Sequence, residues 1–124
     1  MEQQLLDLEI IDSIRDVGDV RENDEFAREL YDLFAEQSDL SVRELTSAVA
    51  RQDVAQIRYF AHRLKGSAAN IGAKALSRQA EELETAARAG TADDAYLVQA
   101  TKELGPLREE SLRALAKLLL GASI

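Results

Sequence analysis

His62 is the only histidine in this 124-residue chain, which also has no cysteine. An imidazole is neutral over much of the physiological range and keeps a nucleophilic nitrogen without an activating base. The surrounding spacing puts it on display. Ile57, Phe60, Ala61, Leu64, Ala68 and Ile71 follow the i, i+3, i+4, i+7 rhythm of an amphipathic helix. At about 100° per residue they fall within roughly 60° of Leu64, and His62 lies about 160° from it, on the solvent side. Its neighbours on that face are Ala55, Arg58, Tyr59, Lys65, Gly66 and Ala69. Three of these are very small. Glycine inside a helix costs about 1 kcal/mol relative to alanine, so Gly66 points to a need for room beside the ring.

The run His62-Arg63-Leu64-Lys65-Gly66-Ser67-Ala68-Ala69-Asn70-Ile71-Gly72 resembles the signature of histidine phosphotransfer (HPt) domains, the relay modules of multistep two-component signalling. The resemblance covers about a dozen contiguous residues, and the helical pattern along most of the chain suits the family's four-helix bundle. It implies that His62 is the phosphoacceptor, taking a phosphoryl group from one receiver aspartate and passing it to another. It implies Lys65 as charge compensation, Gly66 as access for the partner, and Gly72 as the close of the motif. Ala55, Arg58, Tyr59, Arg63 and Ala69 become candidate docking residues. The expected partners are response-regulator receiver domains, a hybrid histidine kinase, or both. No cofactor is expected on this chain; magnesium would be held by the receiver. Neither a Walker A spacing nor GxGxxG occurs, so no ATP-dependent kinase activity of its own is expected. A loose phosphoryl-transfer transition state asks mainly for positioning and charge compensation, which an exposed imidazole beside a mobile lysine can supply.

Two other classes also use a helical bundle or hairpin of this kind. A histidine-kinase dimerisation domain is also a helical hairpin with a phosphorylated histidine, but that family typically follows the histidine with Glu or Asp, where Arg63 stands here. A purely interacting bundle with a vestigial histidine would not be expected to keep His62.

The elements that position this run read as helices throughout. Leu6, Ile10, Ile14 and Val17 make a short stripe over about 5–17, closed by Gly18. Asn23 or Asp24 can cap a long helix over about 25–50, whose stripe is Phe26, Leu30, Leu33, Gln37, Leu40, Leu45, Ala48 and Val49, widened by Phe34. Asp53 with Gln56 fits an N-cap for the histidine helix, about 53–70, ending between Asn70 and Gly72. The next, about 73–89, carries Leu76, Ala80, Leu83 and Ala87 inward, with Glu81, Glu82 and Glu84 outside, and stops at Gly90. Thr91 or Asp93 opens the last, about 93–120, whose phase from Leu97 to Leu119 survives Gly105-Pro106 and so predicts one kinked helix. The short links predict an all-α, antiparallel up-down four-helix bundle with a short additional N-terminal helix, in a single domain over 1–124.

Composition narrows the classes. Aromatics are 5%, and there are one proline and six glycines, as suits an aliphatic helical core. Without cysteine there is no disulfide framework or thiolate metal site, and one histidine makes no metal cluster. No signal peptide or apolar run of 18 residues occurs, so a cytoplasmic monomer with no membrane partner is the expectation. A net charge of −8 disfavours nucleic acid. Yet residues 51–78 carry +5 (Arg51, Arg58, Arg63, Lys65, Lys74 and Arg78 against Asp53), leaving −13 for the rest. The basic excess coincides with His62 and favours an anionic ligand or acidic partner there.

Overall fold

The computed structural model describes residues 2–17, 25–90 and 94–121. Every regular element in them is helical: α1 (Glu2–Leu5), α2 (Leu8–Val17), α3 (Glu25–Ala50), α4 (Val54–Ile71), α5 (Lys74–Ala89) and α6 (Asp94–Leu120). Helices α3 to α6 form a ring, each packed on its chain neighbours with α6 closing onto α3, and α1 and α2 lie across one end. This is the expected four-helix bundle with an N-terminal addition.

Local chemistry explains the joints. Asp53 caps α4, its carboxylate accepting from the Gln56 N–H at 3.1 Å, after a tight turn in which Gln52 takes φ 56°. Gly72 ends α4 in a left-handed conformation, φ 86°, and the Ala73 N–H reaches back to the Ala68 carbonyl at 2.8 Å. The N-terminal segment then seats on that turn: the Asp7 N–H donates to the Gly72 carbonyl at 2.7 Å, and a Cβ at residue 72 would stand 3.0 Å from the Asp7 carbonyl oxygen. Close approach and positive φ both require glycine there. Asp7 also splits the expected 5–17 helix, because its carboxylate accepts from the Glu9 and Ile10 N–H groups and starts α2 afresh. The expected caps at Gly18, Asn23, Asp24, Thr91 and Asp93 lie outside the described residues. Helix α6 passes through Pro106 without a break.

The core is aliphatic, led by Leu45, Ile57, Leu64, Leu76, Leu83, Leu104 and Leu115. The α3 stripe differs from the expected one. Its buried positions are Ala27, Phe34, Ser38, Ser41, Leu45, Ala48 and Val49, whereas Phe26, Leu33 and Leu40 are exposed. The cause lies on α6. Arg108 turns into the seam and donates to the Ser38 hydroxyl and the Ala35 carbonyl, each at 2.8 Å. A guanidinium there needs small residues and oxygen acceptors opposite it, so the helix presents serines and turns Leu33 and Leu40 outward.

Candidate functional site

Five of the six apolar residues expected on the inner face of α4 are buried, and Phe60 is half-buried. The opposite face carries His62, whose side chain is 67% exposed. Its Nδ1 lies 2.9 Å from Oε2 of Glu84 on α5. Glu84 was expected outside; it is 6% exposed and aimed at the histidine. The signal was present in the spacing, since Glu84 stands four residues after Ala80 and three before Ala87 and therefore shares their face.

The buried carboxylate gathers three cationic or polar donors. Lys65 Nζ meets its Oε1 at 2.8 Å, and Arg88, one turn along α5, meets its Oε2 at 3.0 Å. The Lys65 ammonium is the main reason the Glu84 carboxyl titrates below its ordinary value of 4.5; burial pulls the other way and His62 adds to the lowering. Glu84 is thus an anion at neutral pH and can only accept hydrogen bonds. Nδ1 of His62 must be the donor. In the neutral ring the proton sits on Nδ1 and the free lone pair on Nε2.

Two recesses flank the ring. On the α5 side, one of about 330 Å³ is lined by Ala55, Arg58, Tyr59, Arg63, His62 and Glu84. Arg63 is clasped to Tyr59, donating to its hydroxyl at 3.1 Å and lying 5.7 Å from the ring centre. On the α3 side, a cleft of about 310 Å³ brings Gln37 and Ser41 together with His62, Arg63, Gly66, Ser67 and Asn70. A Cβ at Gly66 would meet nothing within 4 Å, so this glycine packs against no other helix. Of the sequence-predicted residues, Lys65 lines neither recess and reaches the site through Glu84, and Ala69 falls elsewhere, in the recess at Gly72 formed with Asp7, Lys74 and Ser77. Gln37 and Ser41 were missed as site residues because they belong to a helix remote in sequence. Among the described residues no group of His, Asp and Glu is placed to hold a metal ion, and no helix is long and apolar enough to cross a membrane.

His62 is thus an exposed imidazole held by a buried carboxylate on a four-helix bundle. The sequence of the Hpt domain family matches residues 29–119, and the chain belongs to that family. Its function is that of a histidine phosphotransfer relay intermediate. The fold is similar to the crystal structure of histidine-containing phosphotransfer protein B from Pseudomonas aeruginosa PAO1, with TM-score 0.81, 24% identity, and coverage of 96% of this chain and 97% of that one. Comparison with curated protein sequences gave no match.

Proposed function

We propose that Nε2 of His62 is the phosphoacceptor, that it is loaded by the aspartyl phosphate of a receiver domain, and that Glu84 positions the ring for transfer in either direction. The observation that carries this is the 2.9 Å contact between Nδ1 and the Glu84 carboxylate. Nε2 attacks phosphorus; the Nε2–P bond forms as the P–O bond to the aspartate breaks, and the aspartate leaves as a carboxylate. Nδ1 keeps its proton throughout, so the ring becomes cationic and faces an anion already in place. Preorganised charge of this kind needs no rearrangement at the moment of transfer. In the return direction the ring leaves as neutral imidazole, so one arrangement serves both loading and unloading.

Lys65 supports this through Glu84, keeping the carboxylate ionised and oriented, as its 2.8 Å contact suggests. Receiver domains, free or within a hybrid kinase, are the partners, and magnesium is theirs to supply. Gly66 keeps the approach to Nε2 low. His62→Gln should leave the bundle folded, since the side chain is mostly solvated, and should take up no acid-labile phosphate from a phosphorylated receiver. Phosphate retained by that variant on a nitrogen would place the acceptor elsewhere.

A further inference from the structure

We infer that the cleft between α3 and α4 is the seat of the phosphoryl group on His62, with the Ser41 hydroxyl and the Gln37 amide donating hydrogen bonds to its oxygens. This rests on His62 being the acceptor and adds to that reading the residues that receive the group. The two nitrogens of an imidazole point in roughly opposite directions. Holding Nδ1 toward Glu84 turns Nε2 away from α5, and His62 also lines the α3–α4 cleft. At about 30 Å³ per water, the cleft has room for about ten waters, ample for a tetrahedral phosphoryl group.

Its lining is unusual in its hydrogen bonding. Ser41 is 2% exposed as a residue, and its hydroxyl lines the cleft without a hydrogen bond to the described residues. No buried side-chain polar atom among the described residues lacks a partner, so this hydroxyl is open to the cleft and can donate to a ligand there. The amides of Gln37 and Asn70 line the same cleft and are likewise unengaged by other described residues. Ser67 differs, because its hydroxyl is already given to the Leu64 carbonyl at 3.3 Å. Lys65, the obvious cation, is held at 2.8 Å by Glu84 on the opposite flank. Neutral donors thus line the cleft beside His62 together with Arg63, whose Nη1 is given to the Tyr59 hydroxyl, while Lys65 is occupied on the other flank.

The test uses the whole isolated protein loaded with phosphoramidate, so that no receiver is needed. Nε2 attacks phosphorus, the Nε2–P bond forms, and ammonia leaves with the reagent's nitrogen and its protons. Phosphorus NMR then reads the resonance, its pH titration and the lifetime of the phosphohistidine. Gln37→Glu is nearly isosteric; it removes the donor and adds a like charge, which raises the titration midpoint of the phosphoryl group. Ser41→Ala shortens the lifetime severalfold. A purely structural role for Gln37 would leave the titration midpoint where it is. If the wild type loads and both variants show its resonance, midpoint and lifetime, this inference is overturned alone. If the wild type takes up no phosphate, the reading of His62 falls with it.

Discussion

The two flanks of His62 are built on opposite plans. On the α5 flank one buried carboxylate binds the imidazole, the lysine and the arginine. On the α3 flank the cleft is lined mainly by neutral polar groups, Gln37, Ser41, Ser67 and Asn70, and its one charged residue, Arg63, donates to the Tyr59 hydroxyl. Matched charges fix geometry and leave little for a newcomer to gain; unmatched donors in an open recess do the reverse. The ring is held from one side so that the other can be visited.

The largest expected effect comes from filling the open flank. Gly66→Leu should reduce transfer from a receiver below detection, because the side chain would stand where the phosphorylated partner must approach to about 3–3.5 Å. A Cβ at this position meets nothing, so the isolated bundle should be stabilised by up to about 1 kcal/mol through helix propensity. Stopped-flow transfer and thermal unfolding of one variant measure both. Normal transfer would move the approach to the α5 flank and undo the contrast.

Disturbing the closed flank should cost less. Glu84→Gln keeps an oxygen for Nδ1–H but loses the charge that faces the cationic ring. A hydrogen bond to a charged group contributes about 1.5–3 kcal/mol, of which an amide keeps part, so transfer in each direction should slow about tenfold. Equal slowing of loading and unloading is the signature of a group that serves the shared transition state. Slowing in one direction alone would make Glu84 a partner contact instead.

How much of this was legible in the sequence differs between the same two flanks. Helix α4 could be read from its own residues: the buried face, the outward histidine, the Asp53 cap and the Gly72 turn are all decided locally. What stands opposite His62 is decided by other helices. Glu84 shares a face with Ala80 and Ala87, so its burial was within reach of the helical spacing, but a carboxylate is seldom buried and was placed outside. Helix α3 was harder. Phe26, Leu30, Leu33, Gln37 and Leu40 make a regular stripe, and a second stripe one residue later, from Ala27 through Phe34, Ser38 and Ser41, is equally regular. Hydrophobicity favours the first. The arginine of α6, which turns the second inward, lies 70 residues beyond Ser38. No periodicity within α3 contains that information.

Lys65→Ala should have the smallest effect and separates two roles for the lysine. If Lys65 acts by holding Glu84, the phosphohistidine lifetime should change less than in Ser41→Ala, since Arg88 and His62 still meet the carboxylate. The consequence should appear in stability. Glu84 has a depressed pKa in the folded protein, chiefly because of Lys65, so the contribution is fully present above the unfolded value of about 4.5 and is lost as pH falls through the lower folded value. Removing Lys65 lets that pKa rise. The variant should therefore be less stable at pH 7 by about 1 kcal/mol or less, given a lysine side chain 29% exposed, and should converge with the wild type in acid. Urea unfolding at a series of pH values from 7 down to 3 measures this. A stability difference that stays constant down the series would detach Lys65 from Glu84, and a lifetime shortened more than in Ser41→Ala would return the lysine to the phosphoryl group and make the two flanks share the work.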